Sequence, residues 1–252
     1  ATVEFETKRG PVFANLVLAD EINRATPKTQ SALLEAMQEN TVTIEGQTHP
    51  LPEPFMVVAT MNPIDMEGTF ALPEAQRDRF QLKLDVEIPE RELESELLAR
   101  FDDRPSLGPT DAQQVVSLED VVDARAAVRD IHVDPSVREY ILDIVEATRD
   151  SVDTAHGASP RAGIHLFTAS KARAAIHGRE YVVPEDPKAL AESVLAHRFV
   201  LSTDAELSDL EPRTIVEDVV RKVTPPTHDD VVRSAGAVSD GGSSPADRTD
   251  GE

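Results

Sequence analysis

The sequence contains no cysteine and no tryptophan, and only 4% of its residues are aromatic. The absence of cysteine excludes disulfides, thiolate zinc sites, iron–sulfur clusters and a cysteine nucleophile. No apolar run approaches the roughly 20 residues of a membrane-spanning helix, and the start of the chain lacks the basic and then apolar layout of a secretory signal. These absences favour a soluble, cytoplasmic protein without a membrane span.

Positive charge is scarce as well, because 25 Lys and Arg stand against 47 Asp and Glu, for a formal net charge of −22. Such a surface repels phosphate backbones and anionic membranes, so a nucleic-acid partner is not favoured. An acidic chain with few lysines resembles halophilic, haloarchaeal-like proteins, and molar salt would screen its charges within a few ångströms. Net charge alone is therefore a weak guide to partners.

Three short segments in the first part of the chain predict β-strands. They are Leu16–Ala19, Phe55–Thr60 and the alternating segment Leu82–Val86. Continuous apolar strands separated by helices favour a parallel sheet covered on both faces. Thr26-Pro27 predicts a helix start, and residues 41–51 are predicted to form a β-hairpin. We therefore predict an α/β domain over residues 1–89.

From Pro89 onward, apolar residues recur at helical spacing. Predicted helix starts are Ser117, Asp134-Pro135 and Ser159-Pro160. We predict an all-α domain over residues 90–225. Beyond it the composition shifts to Ser, Gly and Asp without Leu, Ile or Phe, so residues 226–252 are predicted to be a disordered acidic tail.

Acidic and amide side chains directly follow the first two predicted strands. Asp20 and Glu21 follow the first, and Asn62 follows the second. Ligands of open parallel sheets bind just beyond these strand ends. An acid pair there suits phosphoryl transfer, in which one acid holds Mg²⁺ and the other orients or deprotonates a water. The alternative is that Asp20 caps the following turn and that Asn62-Pro63 is an ordinary turn.

Three arginines are further candidates for binding phosphate. Arg77 and Arg79 precede the third predicted strand, and Arg161 lies in the first turn of a predicted helix. A guanidinium suits the charge spread over phosphoryl oxygens, and a cation at a helix N-terminus favours a compensating anion nearby. Alternatively, these arginines are solvated or paired with carboxylates. The seven histidines lack metal-ligand spacing, and we interpret them as structural.

Taken in order, these segments resemble the MoxR family of AAA+ ATPases. Residues 10–37 are similar to the Walker B region of that family, residues 51–63 to its sensor-1 strand, and residues 157–161 to its sensor-2 motif. The resemblance covers residues 3–225. It implies part of an AAA+ P-loop NTPase parallel sheet followed by a helical lid. The hairpin at 41–51 resembles the presensor-1 hairpin, which faces the pore of the ring.

The resemblance also implies ATP and Mg²⁺ as cofactors and a role for each candidate residue. Asp20 would bind Mg²⁺, and Glu21 would polarise the hydrolytic water. Asn62 would act as sensor 1, and Arg161 would reach the γ-phosphate from the lid of the same subunit. Arg79, which we favour over Arg77, would be the arginine finger that enters the site of a neighbouring subunit in a ring, with a hexamer favoured.

The sequence lacks a G-x-x-x-x-G-K-[ST] segment, the loop that cradles phosphates in this class. We therefore expect an N-terminally truncated chain, and expect it to hydrolyse ATP poorly or not at all as it stands. The resemblance implies that the parent is a Mg-dependent ATP hydrolase with a chaperone-like role in remodelling or maturing partners, often beside von Willebrand factor A domain proteins. The alternatives are a nucleotide-incompetent scaffold subunit and, less favoured, a DNA-remodelling motor.

Overall fold

The computed structural model describes residues 9–62, 69–106, 108 and 111–227. The helices in these ranges are α1 (Pro27–Glu39), α2 (Glu74–Arg77), α3 (Arg91–Asp103), α4 (Leu118–Asp130), α5 (Pro135–Arg149), α6 (Pro160–Ile176), α7 (Glu185–Leu195), α8 (Thr203–Leu207) and α9 (Pro212–Lys222). The strands are β1 (Leu16–Ala19), β2 (Thr41–Ile44), β3 (Gln47–Pro50), β4 (Met56–Ala59), β5 (Thr154–His156) and β6 (Val200–Leu201). An α/β part thus precedes a helical part, which confirms the predicted fold class.

Strands β1 and β4 form the parallel ladder that the two apolar runs predicted. Their register places Leu16 opposite Met56 and Ala19 opposite Ala59. Alternate side chains point to opposite faces of a strand, and one face carries exposed Leu16 and Leu18 while Val17 on the other is half-buried. Both strands carry apolar side chains, and a polar residue directly follows each strand at its carboxyl end.

The predicted helix and hairpin between these strands are both formed. The Thr26 hydroxyl accepts a hydrogen bond from the Thr29 N–H (3.4 Å) and caps α1. Strands β2 and β3 pair antiparallel around a two-residue turn. Glu45 and Gly46 both have positive φ, at 50° and 81°, which matches the turn type that joins two twisted strands.

The third predicted strand, Leu82–Val86, is not formed, and this prediction was wrong. Residues 82–90 carry no regular secondary structure, and Val86 is 97% exposed. Alternation predicts which face a strand would bury, but a strand also needs a neighbour for its backbone groups. None of the described strands pairs with this segment, and the Lys83 N–H instead donates to the Ser193 carbonyl (2.8 Å) in α7.

The helical part has one apolar core. Helices α5, α6, α7 and α9 pack around it. Its fully buried side chains include Val137, Ile144, Leu166, Val194 and Leu195. The sequence analysis did not predict the short antiparallel β5–β6 pair, which packs beside α5. Because these helices interlock, they form a rigid support for the residues at their ends.

The helix starts predicted at Ser117, Asp134 and Ser159 are confirmed. A side chain caps the first two of these helices but not the third. Ser117 and Asp120 form a reciprocal capping box before α4. The Asp134 carboxylate accepts from the Ser136 N–H (2.8 Å) at the start of α5. Ser159 precedes α6 but makes no cap hydrogen bond, because its hydroxyl is used elsewhere.

The remaining observations concern the length of the helices and the end of the described chain. No helix among the described residues is long and apolar enough to cross a membrane. The predicted disordered tail, residues 226–252, falls outside the described ranges apart from residues 226 and 227.

Candidate functional site

The carboxyl end of the parallel ladder brings Asp20 beside Thr60. Backbone hydrogen bonds continue past the ends of both strands, because the Thr60 N–H donates to the Ala19 carbonyl (3.0 Å) and the Ile22 N–H donates to the Thr60 carbonyl (3.0 Å). The Thr60 hydroxyl donates to Asp20 Oδ1 at 2.6 Å. Backbone pairing and this side-chain hydrogen bond together fix the position of the Asp20 carboxylate.

Glu21 is held by the same threonine. Its N–H donates to the Thr60 hydroxyl oxygen (2.9 Å), and its backbone is left-handed, with φ 48° and ψ 53°. A non-glycine residue in this region costs on the order of 1 kcal/mol or more and persists where its surroundings hold it. The carboxylate forms an ion pair with Arg24 Nε (3.0 Å), and both side chains are about half exposed. Glu21 is therefore fixed in its backbone and accessible in its side chain.

Asn62 lies two residues beyond Thr60 and is exposed. The structure thus gathers three predicted site residues, Asp20, Glu21 and Asn62, at one edge of the ladder. Mg²⁺ prefers oxygen ligands such as carboxylates, so the exposed Asp20 carboxylate, oriented by Thr60, fits the ion that the family resemblance implies. Thr60 was not predicted as a site residue, because it contacts Asp20 and Glu21 only through the register of β1 and β4, which the sequence pattern does not specify.

Arg79 and Arg161 lie together in a different place. They line an open pocket of about 190 Å³ with Met37, Gln38 and His165. Among the described residues, no hydrogen bond or ion pair joins either arginine to Asp20 or Glu21. The predicted site residues therefore form two groups, one acidic at the strand ends and one basic between the α/β part and the helical part.

Asp78 connects the basic group to the helical part, and sequence reasoning missed it. Its carboxylate accepts from the Ser159 hydroxyl at 2.9 and 3.0 Å and lies 3.6 Å from Arg161 Nη1. It also pairs with Arg198 Nη1 at 2.7 Å. Asp78 is the compensating anion that a cation at the start of a helix favours.

Arg77 differs from Arg79 in its surroundings. It ends α2, and its Nε is buried without a hydrogen-bond partner in the described part of the chain. Arg79 instead lines the pocket beside Arg161. The pocket therefore supplies a structural argument for Arg79 over Arg77 as a phosphate ligand.

Two histidines pack against this region as neutral groups. Burial is the main cause that lowers the pKa of His165 and of His197 to about 4, and the charge of Arg198 lowers both further. His197 Nε2 contacts the Phe80 carbonyl (3.1 Å). The described residues contain no group of three or more His, Asp or Glu that could hold a metal ion.

Comparison with known proteins gives matches for both parts of the chain. Residues 1–82 match the model of an ATPase family associated with various cellular activities (AAA_3), and residues 146–219 match an AAA lid domain (AAA_lid_2). A crystal structure of a candidate ATPase from Cytophaga hutchinsonii has a TM-score of 0.82 and 41% identity, over 88% of this chain and 69% of that one. The chain thus has the α/β part and the lid of an AAA protein.

Two curated relatives are similar over most of the chain. YeaC of Bacillus subtilis, an uncharacterized protein, is 41% identical over 232 residues, covering 92% of this chain and 72% of its own length. Chaperone MoxR1 of Mycobacterium tuberculosis is 41% identical over 232 residues, and the match covers 88% of this chain and 60% of that protein. The chain therefore spans between 60 and 72% of the length of these two relatives.

The matches to an AAA ATPase family over residues 1–82 and to an AAA lid domain over residues 146–219 show that the chain belongs to the AAA+ class of ATPases. Within that class, the chain belongs to the MoxR family. The family predicted from the order of the motifs is confirmed. AAA+ proteins bind nucleotide and typically assemble as rings.

Proposed function

We propose that the protein is a Mg-dependent ATP hydrolase whose water-activating site is the acidic group at the end of β1. The single observation that carries this proposal is the Asp20–Thr60–Glu21 cluster, in which one hydroxyl bonds to both acidic residues at 2.6 and 2.9 Å. A carboxylate held rigidly and a second one left accessible suit two different tasks. The sequence contains no G-x-x-x-x-G-K-[ST] loop, and turnover needs such a loop to hold the phosphates.

Each residue of the acidic group has a distinct proposed role. Asp20, oriented by Thr60, holds Mg²⁺, and the bound ion would neutralise charge on the phosphates. Glu21 accepts the proton of the attacking water or orients that water. Asn62 donates its amide N–H to the γ-phosphate or to the same water as sensor 1.

The basic group has a shared proposed role. Arg79 and Arg161 line one pocket, so we propose that both guanidinium groups act on one nucleotide. Arg79 is the arginine finger and reaches across a subunit boundary in a hexameric ring. The shared pocket then favours action of Arg161 on that same neighbouring nucleotide, whereas the sequence analysis assigned it to the nucleotide of its own subunit.

The biological role that we propose is chaperone-like remodelling or maturation of partner proteins. It is supported by the similarity to a relative named Chaperone MoxR1. Proteins with von Willebrand factor A domains are the proposed partners, and the cytoplasm is the proposed location. A nucleic-acid partner is not favoured, because phosphate backbones carry the same sign of charge as this acidic chain, although molar salt would weaken that repulsion. The alternative function is that of a nucleotide-incompetent scaffold subunit.

The test is Glu21→Gln in the protein encoded by the complete gene. We expect turnover of ATP to fall by about 100-fold or more, since the amide cannot accept a proton, while binding of a fluorescent ATP analogue is retained. Glu39→Gln, at the exposed end of α1, is the matched control and leaves turnover unchanged. The same assays, run in both dilute and molar KCl, also test whether the protein is halophilic, as its acidic composition predicts.

Two outcomes contradict the proposal. Turnover that survives Glu21→Gln removes Glu21 from the chemistry. Absence of both turnover and nucleotide binding in the wild-type protein, in either salt condition, favours the scaffold subunit instead.

A further inference from the structure

Arg198 is a charged side chain buried in the lid, 2% exposed, between α7 and β6. A buried guanidinium is costly unless its N–H groups are paired. Its Nε donates to the Val194 carbonyl of α7 at 2.6 Å. This contact joins the base of the guanidinium to the rigid helical core and points the rest of the group outward from α7.

The other N–H groups of Arg198 reach the α/β part. Nη1 donates to Asp78 Oδ1 (2.7 Å) and to the Asp78 carbonyl (2.8 Å). Nη2 donates to the Phe80 carbonyl and, at 3.4 Å, approaches the Gln81 carbonyl. These acceptors lie on both sides of Arg79. One side chain of the lid therefore holds the backbone from which Arg79 projects.

His165 completes the contacts of Arg198. Its Nδ1 accepts a hydrogen bond from Arg198 Nη2, so the ring proton lies on Nε2. Burial and the charge of Arg198 lower the pKa of His165 to about 4, so the ring is a neutral acceptor at pH 7. His165 also lines the pocket with Arg79 and Arg161. The guanidinium of Arg198 thus lies directly behind the pocket wall.

Asp78 ties the two arginines of the lid to the same turn. Its carboxylate, 15% exposed, contacts Arg198 on one side and Arg161 on the other, at 2.7 and 3.6 Å. Arg161 is 39% exposed, so it keeps access to the pocket while its position depends on Asp78. The same contacts therefore set the relative placement of Arg79 and Arg161.

We propose that Arg198 is a positioning residue for Arg79, one that fastens residues 78–81 to the lid so that Arg79 and Arg161 reach the same phosphate. The catalytic half of this inference rests on the proposed ATPase function. A lysine cannot replace Arg198, because one ammonium group cannot span the carboxylate, the carbonyls and the imidazole that the planar fork reaches. Arg198 itself touches no substrate.

The first experiment measures amide hydrogen exchange in Arg198→Lys and needs no activity. The N–H groups of Arg79, Phe80 and Lys83 are hydrogen-bonded in this region. We expect exchange in a peptide covering residues 77–83 to accelerate by roughly tenfold or more, while the core helices keep their protection. Arg213→Lys, at an exposed ion pair in the lid, is the matched control, and we expect it to change neither the exchange at residues 77–83 nor the protection of the core helices. Unchanged exchange at 77–83 overturns the proposal.

The second experiment separates positioning from general stability by a double-mutant cycle on ATP turnover. In the complete protein, Arg198→Lys lowers kcat about tenfold or more with little change in KM, and adds no further loss in an Arg79→Ala background. A loss that is equally large in both backgrounds shows a merely structural role and overturns the proposal.

A third variant and one further outcome complete the test. If Arg198→Lys does not fold, Asp78→Asn removes the charge but keeps the carbonyl and the shape, and it is measured in the same two ways. A wild-type protein without turnover overturns the ATPase function and the catalytic half of the inference. Hydrogen exchange then still decides whether Arg198 fastens residues 78–81.

Discussion

Replacing Thr60 by valine removes one hydroxyl and keeps the volume and the β-branched shape of the side chain. That hydroxyl makes two hydrogen bonds, to Asp20 Oδ1 at 2.6 Å and from the Glu21 N–H at 2.9 Å. Each such bond contributes about 1 kcal/mol to stability, but both partners are open to water, which replaces part of that. We expect the free energy of unfolding to fall by about 1 kcal/mol.

The effect of Thr60→Val on turnover is larger than its effect on stability. Residues that orient a metal-binding carboxylate typically change metal affinity or activity by about 10- to 100-fold. We therefore expect the complete protein to need more Mg²⁺ for half-maximal ATP turnover and to reach a lower kcat. Thr60→Ser, which keeps the hydroxyl, is the control, and we expect it to retain most of the response to Mg²⁺ and most of the kcat.

The assay is a magnesium titration of phosphate release, with urea unfolding of the same samples. Two results refute the reasoning. One is a valine variant with wild-type turnover and magnesium dependence, which means that Asp20 does not depend on Thr60. The other is a serine variant as impaired as the valine variant, which means that keeping the hydroxyl does not keep the function.

Two predictions concern the stability of the lid. Leu166→Ala removes a side chain with no exposed surface, so it lowers the free energy of unfolding in urea by about 2–5 kcal/mol, whereas exposed Leu142→Ala changes it by less than about 0.5 kcal/mol. Burial lowers the pKa of His165 and His197 to about 4, so the unfolded chain binds more protons between pH 4 and 6.5. The stabilisation from these two neutral histidines is fully present above that window and is lost as the pH falls through it. Urea midpoints at several pH values measure this decline, and we expect His197→Asn to make it shallower.

Local signals predicted local structure well. The Thr26-Pro27 and Asp134-Pro135 pairs specify helix starts through a hydrogen-bonding cap and a fixed proline φ, and both effects act within a few residues. The Glu45-Gly46 turn is equally local. In such cases the sequence alone contains the interaction that decides the structure.

The failures have a common cause in distance along the chain. Leu82–Val86 has a strand pattern, but whether it forms a strand depends on a neighbour, which the pattern does not supply. Arg198 and Asp78 are 120 residues apart, and nothing in the spacing of either predicts that they meet. Thr60 became a site residue only through the register of β1 and β4.

The contacts of Asp78 connect the lid to the segment that carries Arg79. Ser159 and Arg161 bind it from the start of α6, and Arg198 binds it from the end of α7. A rotation of the lid that displaces these two helix ends must carry Asp78 with it, and Arg79 is its covalent neighbour. If residues 78–81 stay fastened to the lid as proposed, a rotation of the lid also displaces Arg79 and changes its reach.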